Sequence, residues 1–358
     1  MKALVLSGGG ARGAYEAGVS CGLAAAGQQF DLVCGTSIGA INAAFLAQDL
    51  LPELEELWKS IARINILTLI PQAQHVQEFV VAFEDFLKLP LIEKITTFPH
   101  IAQLYWHIGP KGALLSLLSV VDRTAVTKIL TGNLNVNNLK HSLIITATDI
   151  TQGSPASFYA FVRTDGAPDV TALQTGFLSR VGQETYELKN TNFLSAVEAS
   201  SGIPFAFEPV IFNHGTSRDF LYVDGGVANN TPIGLAIAAG ATDVTVVFMD
   251  PAVTAPPYQD IPNAAMLGMV CYDVMQQKIL ADDMKLALMT NKALSAADAG
   301  KQKDLGLEGK AQVILREVRP KHPLDLSLLA FNDQQKLTAA FDLGRTDAST
   351  IQTIWPAQ

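Results

Sequence analysis

Three short stretches of this chain carry residue types whose spacing could do chemistry. The first is Gly35-Thr36-Ser37-Ile38-Gly39, which follows the strand-forming run Leu32-Val33-Cys34 and leads into Ala40-Ile41-Asn42. A serine flanked in this way, after a strand and before small apolar residues, has the layout of a nucleophile elbow. The turn is too tight for Cβ atoms at the flanking positions, hence the glycines. It exposes the serine oxygen near a helix N-terminus, where backbone N–H groups favour developing negative charge. The second stretch is Gly8-Gly9-Gly10-Ala11-Arg12-Gly13, directly after the apolar run Ala3 to Leu6. A glycine-rich loop of this kind can cradle any anion, a tetrahedral oxyanion included. The third is Asp224-Gly225-Gly226. Asp-Gly is a common turn signal, so Asp224 is either a turn residue or a carboxylate that the turn presents.

Each stretch has a second reading. Gly8, Gly10 and Gly13 satisfy the dinucleotide-binding pattern G-x-G-x-x-G, and Asp31 follows at about the right distance for a ribose contact. Two features oppose it. Asp31 precedes the second apolar strand instead of ending it, and that strand runs into the Ser37 turn. Arg12 could be a solvated helix-start residue or a structural ion pair. A serine hydroxyl needs an adjacent base to be a useful nucleophile. The six histidines (His75, His100, His107, His141, His214, His322) are scattered and lack metal-ligand spacing. A Ser-His-Asp triad would need one of them near Ser37. His214 is the best placed, because the hairpin it occupies leads to Asp224.

These residues have to be positioned by regular elements, and the hydrophobic pattern predicts them. Strands are expected at Ala3 to Leu6, Leu32 to Cys34, Ser142 to Thr148, Ala156 to Val162, Asp243 to Met249 and Gln312 to Val318. Val210 to Phe212 and Phe220 to Val223 read as a hairpin around Asn213-His214-Gly215-Thr216. Helical patterns run to about Ala26 after the glycine loop, from Phe45 to about Ala62, and from Phe193 to Ser201. They recur to about Ala239 after Pro232, from Ala264 to Met289, and from Asp333 to Leu343. Residues 64–130 are broken by Pro71, Pro90, Pro99 and Pro110 and read as short helices forming a cap. Within it, Ile101 to Val121 is the most lipid-like part, either a helix on the core or a lid and interfacial surface. The segment Arg163 to Thr191 reads as irregular. Strands alternating with helices argue for an α/β fold with a mostly parallel sheet covered on both faces. No repeat or clear linker divides the 358 residues, so one domain is expected.

Composition narrows the partners. Hydrophobic residues make up 49% of the chain and charged residues 16%, with a mean hydropathy of +0.24. That excess suggests an apolar pocket, a lipid-facing surface or a subunit interface. A net charge of −9 opposes nucleic-acid binding and simple electrostatic attraction to anionic lipid, so any membrane contact would be hydrophobic. No apolar run is long enough to span a bilayer, and the start is too short for a signal peptide. Three cysteines (Cys21, Cys34, Cys271) without C-x-x-C spacing fit a reducing compartment, and a cytoplasmic location is expected.

In combination and order, the three chemical stretches resemble the patatin-like phospholipase family. The resemblance extends to Ala199-Ser200-Ser201-Gly202-Ile203-Pro204 and to Asn230-Thr231-Pro232, all within residues 1–240. The cap and the C-terminal helix-strand-helix at about 262–344 match only in general character. The resemblance implies a three-layer α/β/α fold and a Ser–Asp dyad that cleaves lipid acyl esters through an acyl-enzyme. Ser37 would be the nucleophile and Asp224 its base. Gly8, Gly9 and Gly10 would supply the oxyanion hole with Arg12 beside it, and Gly13, Gly35, Gly39, Gly225 and Gly226 would support the turns. No cofactor or metal is implied, and calcium is not needed. The substrate would be a phospholipid or another lipid ester, with peripheral membrane contact through the apolar cap. Acyl transfer to an alcohol uses the same intermediate, and a non-catalytic binding or storage protein on the same fold would need a broken dyad.

Overall fold

The computed structural model describes residues 1–64, 122–162, 172–204, 206–251, 264–307 and 309–355. In chain order the strands are β1 (Lys2–Leu6), β2 (Leu32–Thr36), β3 (Ser142–Asp149), β4 (Ser154–Ala160) and β5 (Glu184–Glu187). They continue with β6 (Val210–Phe212), β7 (Phe220–Asp224), β8 (Asp243–Val247), β9 (Ile314–Val318) and β10 (Gln352–Trp355). The helices are α1 (Gly13–Ala25), α2 (Ile38–Leu46), α3 (Leu51–Ile64), α4 (Thr124–Asn133) and α5 (Ala172–Arg180). After them come α6 (Phe193–Ser200), α7 (Ile233–Ala238), α8 (Ala264–Ala296), α9 (Ala299–Asp304) and α10 (Gln334–Asp347).

The described strands form one sheet in the order β10-β9-β8-β1-β2-β3-β4-β5, with β7 paired to β3 and β6 to β7. From β9 to β3 every neighbour is parallel. Antiparallel pairs sit outside that centre: β10 on β9, β4 on β3, and the β6–β7 hairpin on β3. Successive residues of β1 point to opposite faces. Leu4 and Leu6 join Val33, Leu143 and Ile145 on one face, beneath Tyr15, Phe45, Trp58 and Phe341. Ala3 and Val5 join Leu32, Cys34 and Ile144 on the other, with Phe177, Leu235 and Met284. Helices cover both faces, which explains why these strands read as unbroken apolar runs.

The end-to-end placement of β2 and β7 brings the chemical stretches together. Both strands pair with β3, β2 parallel and β7 antiparallel. Thr36, the last residue of β2, is opposite Thr146, and Asp224, the last of β7, is opposite Ala147. The C-terminal ends of the two strands therefore meet head to head over adjacent residues of β3. Thr36 and Thr146 join hydroxyls at 2.5 Å, and both bond the carbonyl of Asn229 just beyond the Asp224 turn.

Several expectations are corrected. The single helix from Phe45 to Ala62 is two, because the chain turns at Asp49 with φ +59° and restarts at Leu51 with Pro52 in the first turn. In α3 the buried residues are Leu54, Leu57, Trp58 and Ile61, one stripe at helical spacing. Of the stretch 163–191, residues 163–171 lie outside the described residues, and the rest holds α5 and β5 instead of being irregular throughout. Helix α8 runs on to Ala296, and β10 had no expected counterpart. The proposed cap at 64–130 lies outside the described residues except for Ile64 and residues 122–130, which include most of α4.

Candidate active site

Ser37 sits at the break between β2 and α2 with φ 57° and ψ −128°. A non-glycine residue rarely adopts this backbone, and such strain persists only where the surroundings enforce it. Here they do. A Cβ on Gly39 would lie 2.6 Å from the Leu6 carbonyl oxygen and 2.7 Å from that of Ser7, and one on Gly35 would lie 2.7 Å from Ala40 Cα. The elbow therefore seats α2 directly against β1. The Ser37 N–H donates to Ser200 Oγ at 2.9 Å, which gives the Ala199–Pro204 stretch a concrete task.

Ser37 Oγ donates to Asp224 Oδ2 at 2.6 Å, and both residues are buried, at 2% and 0% exposure. The Asp224 backbone is fixed on both sides. Its N–H donates to the Gly202 carbonyl at 2.9 Å, and its carbonyl accepts Thr148 Oγ1 at 3.0 Å. Oδ1 accepts the Gly226 N–H at 2.8 Å. The Tyr272 hydroxyl, from α8, faces this carboxylate and favours its charged form. Burial pushes the Asp224 carboxyl up to about 7, against the downward pull of the Ser37, Gly226 and Tyr272 donors. A carboxyl in that range is a far better proton acceptor at neutral pH than one in water.

The glycine loop passes beside Ser37 and is tied down at several points. The Gly8 N–H is directed to Asn230, with Oδ1 at 3.1 Å and the carbonyl oxygen at 3.3 Å. Gly10 has φ +56°, and a Cβ there would run into the Leu328 carbonyl oxygen, which accepts the Ala11 N–H at 2.9 Å. Only glycine combines that backbone with that clearance. The Arg12 guanidinium is engaged by two carboxylates. It pairs with Asp250 at 3.0 Å and with Asp273 of α8, while its Nε donates to the Gly9 carbonyl at 3.3 Å. The sequence-based expectation gives the Gly8, Gly9 and Gly10 N–H groups to an oxyanion with Arg12 beside it, and these contacts bear on two of those four residues. Gly8 is engaged by Asn230, and Arg12 is the ion-paired anchor that holds the loop to β8 and α8.

A second buried carboxylate braces the elbow from below. Glu16 of α1 accepts the Ser7 N–H at 2.7 Å and Asn42 Nδ2 at 2.9 Å, and Asn42 Oδ1 accepts Trp58 Nε1 at 2.9 Å. Burial pushes Glu16 up to about 8. Ser7 precedes the glycine loop and Asn42 lies on α2, so Glu16 joins the two elements that flank Ser37. Above the serine, Gly10 and Ser37 open into a cleft walled by Ile38, Ile41, Val126, Ile203, Phe207 and Phe331, with Arg123, Glu198 and Ser201. Arg123 donates to the carbonyls of Glu198 (3.4 Å) and Glu208 (2.6 Å) and lies 5.4 Å over Phe207.

The competing candidates sit elsewhere. His214 bonds the Tyr222 hydroxyl at 2.9 Å and stacks on Tyr186 at 3.7 Å, and burial lowers its pKa. Asp31 accepts the Lys2 N–H at 2.7 Å, a link to β1. Cys21 and Cys34 are buried and burial raises both thiols, while Cys271 is exposed. Among the described residues no three potential metal ligands cluster, and no helix is long and apolar enough to cross a membrane. Sequence reasoning missed Tyr272, Gln276 and Glu16. An acidic residue at an apolar helix position was the one available signal, and it concerned Glu16 alone.

A family model described as patatin-like phospholipase matches residues 4–237. The uncharacterized protein YqhO of Bacillus subtilis (strain 168) is 28% identical over 276 residues, spanning 76% of this chain and 79% of that protein. Among solved structures, VipD from Legionella pneumophila aligns over 99% of this chain and 68% of its own, at 14% identity and a TM-score of 0.36. A likeness of that size carries no argument about the site.

Proposed function

Since the chain belongs to the patatin-like phospholipase family, we propose that it is a serine lipid acyl hydrolase working through a Ser37–Asp224 dyad. The observation that carries this reading is the 2.6 Å hydrogen bond from Ser37 Oγ to a fully buried Asp224 carboxylate. Asp224 takes the hydroxyl proton as Oγ attacks the ester carbonyl. The tetrahedral oxyanion forms beside the glycine loop, where the Gly9 and Gly10 N–H groups are its donors and the Gly8 N–H stays on Asn230. Each such donor is worth about 3 kcal/mol of transition-state stabilisation in the protease measured best. Asp224 then returns the proton to the departing alcohol, leaving an acyl-Ser37. Water activated by Asp224 releases the fatty acid by the reverse sequence. The apolar walls of the cleft next to Ser37 suit an acyl chain.

The test is fatty-acid release from mixed phospholipid–detergent micelles by wild type and Ser37→Ala. Loss of turnover in the variant by about 10³-fold or more, with an unchanged melting curve, is expected for a nucleophile. Turnover retained in Ser37→Ala would remove the assignment.

A further inference from the structure

The family match ends at residue 237, yet one turn of α8, thirty-five residues further on, reaches both the glycine loop and the Asp224 turn. We propose that this turn, Tyr272 to Gln276, is a positioning element of the active site, and that Tyr272 holds the Asp224 carboxylate in line with Ser37 Oγ. The proposal rests on the reading of Asp224 as the base.

Three side chains at i, i+1 and i+4 make the contacts. Tyr272 is buried, and its hydroxyl faces the Asp224 carboxylate. That hydroxyl oxygen accepts Gln276 Nε2 at 2.8 Å, which leaves the hydroxyl proton to turn toward Asp224. Asp273 is buried and pairs with Arg12 of the glycine loop. The Gln276 backbone carbonyl accepts Asn230 Nδ2 at 3.2 Å, and Asn230 Oδ1 is the acceptor for the Gly8 N–H. Gln276 also sets the clearance of both glycine motifs. A Cβ on Gly8 would lie 3.1 Å from its Nε2, and a Cβ on Gly226 would lie 3.0 Å from its Cδ. The helix therefore fits over the glycine loop and the Asp-Gly-Gly turn at once, and neither could move without the other.

The effect on Asp224 has a definite sign. A hydroxyl that donates to a carboxylate favours the charged form, so Tyr272 opposes the burial that would otherwise keep Asp224 protonated. The other groups facing Asp224 among the described residues are the Ser37 hydroxyl and the Gly226 N–H. Asp273 adds a negative charge near Tyr272, and Arg12 neutralises it. Removing the Tyr272 hydroxyl thus raises the pH at which Asp224 becomes a base.

The experiment is the pH dependence of the second-order rate of Ser37 labelling by a fluorophosphonate, followed by intact-protein mass, for wild type, Tyr272→Phe and Gln276→Met. In Tyr272→Phe the acidic limb should move up by about one pH unit. That makes the variant roughly tenfold slower on the limb, with the deficit closing as pH rises. Gln276→Met keeps Tyr272 but removes the donor to its oxygen, and should shift the limb the same way by less. A uniform drop at every pH, or a limb that stays in place, overturns the proposal. If Tyr272→Phe does not fold, an unshifted limb in Gln276→Met overturns it equally. Wild type that does not label at any pH removes the dyad reading itself, whereas a wild-type limb unchanged in both variants removes only the role of α8.

Discussion

Asp224 is a carboxyl that folding takes out of water, and the cost of doing so gives a prediction. Its ordinary value is 3.8, and burial lifts it to about 7. The unfolded chain loses this proton near pH 4, while the folded protein keeps it until about pH 7. Asp224 therefore contributes its full stability below about pH 4, and that contribution is lost as pH rises through about 7. Asp224→Asn removes the ionisation and keeps an acceptor for the Gly226 N–H. It should melt at a higher temperature than wild type at pH 8, and the gap should close toward pH 4, as read by thermal unfolding across that range. A variant no more stable than wild type at pH 8 would mean that the carboxylate is not penalised by burial. Glu16, pushed to about 8, adds a dependence of the same sign to both proteins and cancels in the comparison. Ser37 and Asp224 were legible in the sequence because glycines mark the turns that hold them. An ion pair stood among the readings of Arg12, but its partners and that of Gly8 could not be read, because Asn230, Asp250 and Asp273 reach them from positions over two hundred residues away.

At the scale of elements, the site depends on how closely α2 approaches β1. Gly39 is the contact point, and the atoms a Cβ would meet are the backbone carbonyl oxygens of Leu6 and Ser7 at 2.6 and 2.7 Å. Backbone in a central strand cannot yield as a flexible side chain would. Gly39→Ala should therefore cost about 1–3 kcal/mol in urea unfolding and slow Ser37 labelling as well, because the elbow moves with the helix. Unchanged stability would show that the contact can relax. The strand–helix alternation was legible because buried parallel strands are uniformly apolar and short. The break between α2 and α3 was not recognised, since helix-forming residues run up to it on both sides and Pro52, its one sequence mark, is also tolerated in a first turn. Segments β5 and β10 were missed for a related reason. Both lie at sheet edges, half-exposed, and their mixed polar sequences lack the apolar signal of the central strands.

At the scale of the whole molecule, the motifs stand in the first two thirds of the chain, but the remainder completes the structure around them. Strand β9 extends the sheet beside β8, α10 buries Phe341 against the face that carries Tyr15, and Leu328 accepts the Ala11 N–H at the end of the glycine loop. Helix α8 supplies Tyr272, Asp273 and Gln276. The elements β9, α8 and α10 were read from the sequence, but the contacts of Leu328, Tyr272, Asp273 and Gln276 were not, because these residues form no local pattern and act through the fold. The apolar excess in the composition is accounted for in part by the two covered faces of the sheet and the cleft beside Ser37. The central claim, a serine activated by a buried aspartate, is tested most directly by intact-protein mass spectrometry after fluorophosphonate treatment of wild type and Asp224→Asn at neutral pH. One probe adduct on Ser37 in wild type, with labelling slowed about 10²-fold or more in Asp224→Asn, is the predicted result. Equal labelling of the two proteins, or none in wild type with and without lipid micelles, would contradict it.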